Sequence, residues 1–278
     1  MARIPTAGLA LALALAIPGI ARAQADSAAT VLPEGHLFRP LRADPKEPDF
    51  FAAYLWMTSA QRTTGVGSVG LGDDIGLFRS ATRRWQVSIA AGVFSQFDMR
   101  TPSKDLLNTD FIVGIPWTWK GGPWSLRVRV YHRSSHLGDE YLLHSGATRI
   151  NFSFEAAEVL ASRDVGPFRL YGGGDYLFDT SPGSFRRGLW RAGLEWTGPA
   201  ARLLFGQGRY FLALDTQSSE ERNWRVGWDG RLGWEFAPKS RSARRWSVEL
   251  QGFRGPSPYG QFYGLDVSAL GLGMHFSL

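Results

Sequence analysis

Two absences constrain the fold of this sequence. None of its 278 residues is cysteine, so disulfide bonds, thiolate nucleophiles and cysteine-ligated metal centres are excluded. After the N-terminal 23 residues, no apolar run approaches the ~20 residues that a membrane-spanning helix requires. Strand pairing and side-chain burial must therefore stabilise the protein.

The first 23 residues have the pattern of a secretory signal peptide. Arg3 precedes an apolar run at residues 7–17, and an Ala-x-Ala motif ends at Ala23. This run is too short to span a bilayer, so residues 1–23 are predicted to be cleaved off after Ala23. Residues 24–50 follow, with four prolines among charged residues, and are predicted to form an irregular periplasmic segment.

From residue 51 onward the chain repeats one unit, about ten residues of alternating polarity followed by a turn signal. Alternation without long apolar runs is typical of outer-membrane barrels, and an even number of strands places both chain ends in the periplasm. We therefore predict an all-β fold, a transmembrane antiparallel up-and-down β-barrel of twelve strands over residues 51–278. The alternative is a water-soluble β-sandwich with an aromatic core. The predicted strands are at residues 51–59, 68–79, 85–98, 108–119, 124–135, 148–161, 167–178, 185–196, 201–214, 223–235, 245–253 and 262–278.

The connections between these strands fall into two alternating classes. One class is mostly tight and often basic, and the other is longer or more polar, as expected for periplasmic turns and outer loops. Seven tryptophans lie beside the tight class, where an indole suits a membrane–water boundary. The tight class comprises residues 80–84, 120–123, 162–166, 197–200 and 237–245, and the longer class includes 100–105, 136–147, 215–223 and 255–263.

The positive charge of the chain has two interpretations. The formal net charge is +6 and the pI is about 9.8, which in other contexts indicates nucleic-acid binding. Here the arginines are scattered along an exported sequence, so we predict no nucleic-acid partner and a basic lumen or basic turns instead. A basic lumen is either filled by ion pairs or open as an anion-conducting pore.

The strand predicted at residues 124–135 has two unlike faces. Arg127 and Arg129 share one face, whereas Val130, His132 and Ser134 share the other, which in a barrel is the lipid face. A serine becomes a nucleophile when a nearby imidazole takes its proton. His132 and Ser134, two residues apart on one face, are therefore a candidate catalytic pair; the alternative is a pair of polar residues at the membrane boundary.

The segment His132-Arg133-Ser134 resembles the His-x-Ser segment of outer membrane phospholipase A and of lipid A 3-O-deacylase. The resemblance implies that Ser134 is the nucleophile and His132 the general base of a site that hydrolyses acyl esters of phospholipid or lipid A. Those families place a third residue, Asn or Glu, on the next strand. This chain differs from the phospholipase in the next residue, because the phospholipase has Asn at the position of Ser135.

The third catalytic residue has two equal candidates in the sequence. In the strand predicted at residues 148–161, the aromatic positions are assigned to the lipid face, which turns Glu155 inward. Asn151 then reaches the lipid face only through a bulge, and Glu140 only by folding back from the preceding loop. Both remain candidates.

A divalent cation is the other chemistry that this region permits. His136, Asp139 and Glu140 are closely spaced carboxylate and imidazole donors, which suit Ca²⁺ or a transition metal. The serine mechanism requires no cofactor, so calcium is expected only as an optional ligand of this region. An ordinary solvated loop explains the same residues equally well.

Two longer resemblances concern the fold and the partners. Residues 37–278 resemble an uncharacterised domain family of bacterial outer-membrane proteins, through segments such as Gly72-Asp-Asp-Ile-Gly-Leu-Phe-Arg79 and Ser257-Pro-Tyr-Gly-Gln-Phe-Tyr263. The C-terminal segment Gly273-Met-His-Phe276-Ser-Leu278 resembles the signal read by the barrel assembly machinery. The expected partners are this machinery, outer-membrane lipids and a second copy of the chain. The alternative to a hydrolase is a non-enzymatic barrel, either a small basic channel or a structural protein.

Overall fold

The computed structural model describes residues 28–60, 62–203, 206–237 and 245–277. The predicted signal peptide and the terminal residue of the assembly signal lie outside these ranges. The described elements are the strands β1 (Thr30–Val31), β2 (Phe50–Ser59), β3 (Thr63–Arg79), β4 (Trp85–Asp98), β5 (Leu106–Gly121), β6 (Trp124–Leu137), β7 (Phe152–Val165), β8 (Phe168–Ser181), β9 (Gly188–Leu203), β10 (Gly206–Ser219), β11 (Val226–Phe236), β12 (Arg245–Pro256) and β13 (Asp266–Ser277), and the helix α1 (Asp139–Ser145).

The strands β2 to β13 form one closed antiparallel barrel. Each strand pairs with its neighbours along the chain, and β13 pairs with β2, for example Leu272 with Tyr54. The short β1 pairs only with the end of β3, at Phe78 and Arg79. The prediction of an all-β, twelve-stranded, up-and-down barrel is confirmed.

The connections keep their two classes, but two predicted turns are displaced, one of them because residues 162–165 of the turn predicted at 162–166 belong to β7. Residues 122–123 and 166–167 are tight turns, whereas residues 138–151 form the long connection that contains α1. The turn predicted at residues 197–200 instead lies inside β9. Register places Gly198 and Pro199 opposite the single residue Tyr210, so a bulge accommodates the proline, which has no backbone N–H to donate.

The outer wall of the barrel is apolar. Phe111, Val113, Ile115 and Trp117 all face outward from β5, as the alternation predicts, and the side chain of Ile115 is 62% exposed. Exposed apolar residues in such numbers suit hydrocarbon rather than water. None of the helices in the described ranges is long and apolar enough to cross a membrane.

The lumen is filled by the segment that was predicted to be periplasmic. Residues 36–49, here called the N-terminal plug, lie inside the barrel, and Phe38 and Leu41 are each only 2% exposed. The guanidinium of Arg127 on β6 binds Glu47 at 2.6 Å and Glu158 at 2.8 Å. Arg191 on β9 binds Asp44.

These contacts have a physical cause. A buried charge is costly unless it is paired, and Arg127 and Arg191 each bind a carboxylate of the plug as well as one of the wall. The plug in turn receives a counter-charge from the wall, because Lys46 Nζ lies 2.5 Å from Asp110 on β5. The periplasmic assignment of residues 24–50 is therefore wrong for the plug, since proline and charge there reflect a polar core segment.

Candidate functional site

His132 and Ser134 both lie on the outward face of β6. The residues that flank the pair, Tyr131 and Ser135, face the lumen and are 5% and 1% exposed. Register places His132 opposite Val113 on β5 and Glu155 on β7, and Ser134 opposite Phe111 and Ser153. The predicted lipid-side position of both residues agrees with this geometry.

The imidazole of His132 is held by a carboxylate on the neighbouring strand. His132 Nδ1 lies 2.7 Å from Glu155 Oε1, and the two side chains are 38% and 40% exposed. With Nδ1–H donating to the carboxylate, the lone pair of Nε2 remains available to accept a proton. Ser134 Oγ makes no hydrogen bond within the described ranges, so this structure does not join the serine to the imidazole of His132.

The position of Glu155 corrects the predicted faces of β7. Phe152 and Phe154 were assigned to the lipid face, but they point into the lumen, where they are 7% and 6% exposed. There they pack in one cluster with Tyr131 and Phe185. Strand alternation then turns Glu155 outward, beside its cross-strand partner His132.

The two residues proposed as the third catalytic group lie elsewhere. Asn151 precedes β7 and donates from Nδ2 to Ser181 Oγ at 3.0 Å. Glu140 is exposed in the first turn of α1. Neither hydrogen-bonds to His132 in the described structure, and Glu155 takes the position that they were expected to fill.

The predicted metal donors are dispersed. Asp139 pairs with Arg149 at 2.9 Å on the exposed side of the loop, whereas His136 packs edge-on against Phe111 at 5.8 Å between ring centroids. Within the described ranges, no three His, Asp or Glu residues are grouped so that they could hold a metal ion. His136, Asp139 and Glu140 therefore do not form a ready cation site.

The site as a whole is a serine, an imidazole and a carboxylate on an apolar wall. Sequence reasoning found the first two, because residues i and i+2 of a strand share a face. It missed Glu155 because the aromatic residues around it are equally suited to lipid and to a packed lumen. The informative signal is the hairpin register, which sets Glu155 opposite His132.

Comparisons with known proteins support the fold. A family model described as a protein of unknown function (DUF1207) matches residues 16–278. No curated protein matches. Among solved structures, the Salmonella typhi outer membrane phospholipase dimer with bound calcium is similar at a TM-score of 0.57 and 10% identity, covering 84% of this chain and 93% of that one. Outer membrane phospholipase A from Escherichia coli gives 0.54 and 10%, covering 85% and 99%. At this identity, the likeness concerns the barrel alone.

Proposed function

This chain belongs to the DUF1207 family of proteins of unknown function, and we propose that it is an outer-membrane hydrolase of lipid acyl esters. In this proposal Ser134 is the nucleophile, His132 the general base and Glu155 the carboxylate that orients the imidazole. The observation that carries it is the 2.7 Å contact between His132 Nδ1 and Glu155 Oε1 on the outward face of the wall.

The proposed reaction uses two atoms of the site, Ser134 Oγ and His132 Nε2. Ser134 Oγ attacks the ester carbonyl carbon while His132 Nε2 takes the hydroxyl proton. Glu155 stabilises the imidazolium that forms. Collapse of the tetrahedral intermediate expels the alcohol, which receives the proton from His132, and leaves an acyl group on Ser134. Water, deprotonated by the same imidazole, then releases the fatty acid and regenerates the serine.

The substrate class follows from the direction in which the site faces. Val113, Phe111 and Val130 surround the polar groups with apolar surface, and β6 ends at the long connection on the outer-loop side. An acyl ester of phospholipid or lipid A brings its chains to such a wall and its carbonyl to the polar groups. Export through cleavage after Ala23 and insertion into the outer membrane are part of this proposal.

The channel alternative is less well supported than the hydrolase. The N-terminal plug occupies the lumen, and the arginines that would attract anions, Arg127 and Arg129, are each 3% exposed and bound to Glu158. A purely structural role remains the competing outcome of the activity test.

Calcium and dimerisation enter the proposal differently. The Salmonella typhi phospholipase was solved as a dimer with bound calcium, but the expected donors of this chain are dispersed, so no catalytic step is assigned to a cation. Association of two copies through their apolar walls remains part of the proposal. Activity is therefore measured with calcium and with a chelator, at protein-to-detergent ratios that favour monomers or dimers.

The test is fatty-acid release from phospholipid and from lipid A by the purified full-length protein in detergent. Ser134→Ala and His132→Ala are each expected to lower the rate at least about a thousandfold. A matched control is Ser268→Ala, which removes an exposed serine on the outer wall of β13. Labelling of Ser134 by a serine-reactive fluorophosphonate gives a second readout. Wild-type hydrolysis in both variants would exclude the site.

A further inference from the structure

A cavity of about 140 Å³ lies at the loop end of the lumen, on the other side of the wall from Ser134. Pro45 of the N-terminal plug contributes to its lining, together with residues of β6 to β12 and their loops. For comparison, an apolar cavity of about 150 Å³ is large enough to bind benzene. The space therefore suits a ligand with one ring.

Aromatic side chains form one part of the lining. The rings of Phe152, Phe185 and Tyr263 contact one another, with centroids 4.7 Å apart for Phe185 and Tyr263 and 5.5 Å apart for Phe152 and Phe185. Leu177 and Leu189 line the cavity beside them. An aromatic ligand in the cavity would pack favourably edge-to-face against these rings.

Polar groups with unused hydrogen-bonding capacity form another part. Arg133 faces the lumen from β6, and its Nε is buried without a partner among the described residues. The guanidinium of Arg186 binds the carbonyl of Glu220 and Asn223 Oδ1, and within the described ranges it meets no carboxylate.

The carboxylates of the cavity are, by contrast, already engaged. Asp215 accepts from the Tyr171 hydroxyl at 2.7 Å and from Gln217, Asp229 pairs with Arg231 at 3.1 Å, and Glu221 accepts from the backbone N–H of Arg186 at 3.0 Å. The unsatisfied buried group that faces the cavity is an N–H donor, Arg133 Nε, which favours an anion. An apolar ring next to free donors matches an aromatic carboxylate.

We propose that this cavity is a binding site for a small aromatic carboxylate that enters between the outer loops. The ring packs against Phe152, Phe185 and Tyr263, and the carboxylate accepts from Arg186 and Arg133. The site is independent of the proposed hydrolase, because the barrel wall separates it from Ser134.

The experiment uses the full-length protein in phosphatidylcholine nanodiscs, with empty nanodiscs as the blank. Line broadening of the ¹⁹F NMR signal is measured for 4-fluorobenzoate and for 4-fluorobenzylamine, which have the same ring and opposite charge. The proposal expects saturable broadening of the benzoate alone. Arg186→Gln, a change in an exposed loop, is expected to weaken benzoate binding about tenfold, as for the loss of one charged hydrogen bond.

A matched pair of variants on β11 tests the location. A side chain at Gly227 would extend into the cavity without a clash, since its Cβ would lie 3.5 Å from the ring of Phe253. Gly227→Val is therefore expected to abolish benzoate binding. Gly230 faces outward on the same strand, with only the carbonyl of Gly252 nearby at 3.9 Å, so Gly230→Val is expected to bind as the wild type does.

Three results would overturn the proposal. Equal or stronger binding of the amine would identify a cation site, and absence of broadening would identify a cavity filled by water. Unchanged benzoate binding by Gly227→Val would place any site elsewhere. Heat-modifiable gel mobility verifies that each variant is a closed barrel before these comparisons are made.

Discussion

His132 on β6 and Glu155 on β7 are joined across the outer wall of the barrel by a contact of 2.7 Å between Nδ1 and Oε1. The contact follows from register, since the two residues are direct cross-strand partners. It fixes the imidazole in an environment where few polar groups are available.

Glu155 is therefore expected to matter more than either residue that sequence reasoning preferred. Glu155→Ala should lower acyl-ester hydrolysis about a hundred- to ten-thousandfold, because the imidazole loses its orientation and its counter-charge. Glu155→Gln retains a hydrogen-bonding group and should lose less. Asn151→Ala and Glu140→Gln serve as controls with wild-type rates. Full activity of Glu155→Ala would contradict the assignment.

The N-terminal plug should contribute strongly to stability. Asp44→Ala leaves the guanidinium of Arg191, 9% exposed, without its principal partner, and should lower the free energy of unfolding by about 3–5 kcal/mol. Arg39→Ala breaks an exposed ion pair with Asp164 and should change it by less than about 1 kcal/mol. Denaturant unfolding followed by tryptophan fluorescence compares the two, and equal effects would argue against a buried plug.

Removal of the plug should convert the barrel into a pore. Deletion of residues 36–49 removes the segment that fills the lumen, so conductance across planar bilayers should rise. The intact chain serves as the closed control, and an equal conductance of the intact chain would mean that the plug does not seal the lumen.

A glycine on β9 provides a test of close packing. The ring of Tyr171 crosses Gly193, where an added Cβ would lie 2.1 Å from Tyr171 Cζ, and its hydroxyl donates to Asp215. Gly193→Ala should displace the ring and destabilise the barrel by about 1–3 kcal/mol. At Gly172 on β8 the nearest atom would be 3.5 Å away, so Gly172→Ala should be tolerated. Thermal denaturation of the two variants measures the difference.

The local stability of the loop after β4 should depend on pH. Hydrogen bonds from Ser103 and from His144, whose Nδ1 lies 2.6 Å from Asp105 Oδ2, hold the pKa of the Asp105 carboxyl below its usual range. The stability that this gives is present above the ordinary pKa of an aspartate, about 4, and is lost as the pH falls through the lower pKa of Asp105 in the folded protein. The protection factors of the amides of residues 99–105, which correct for the slower intrinsic exchange in acid, should therefore fall at acid pH, and Asp105→Asn should remove that dependence.

The sequence predicts this barrel well where one face of a strand is clearly apolar. On β5, the row from Phe111 to Trp117 has no competing interpretation, and its outward direction is confirmed. On β7, phenylalanines occupy the inner face and a glutamate the outer one, which reverses the usual rule. Local composition cannot distinguish an aromatic lumen from a lipid face, because both are apolar; only pairing with β6 fixes the orientation.

The plug was unpredictable for a related reason. Proline and charge in residues 24–50 describe a chain without regular structure, and such a chain has the same composition whether it lies in water or in a polar core. A segment in a polar core differs from one in water because its charged residues pair with residues far along the sequence, as Arg42 pairs with Glu235. Those distances are visible only in the folded molecule.

The same plug implies an order of events during biogenesis. It is synthesised before any strand of the barrel, yet its charged residues find their partners on β5, β6, β9 and β11. Those strands come to surround it only when the sheet curls and its first and last members meet. This early segment is thus the last to reach its final contacts, and seam closure and charge neutralisation in the interior become one cooperative step.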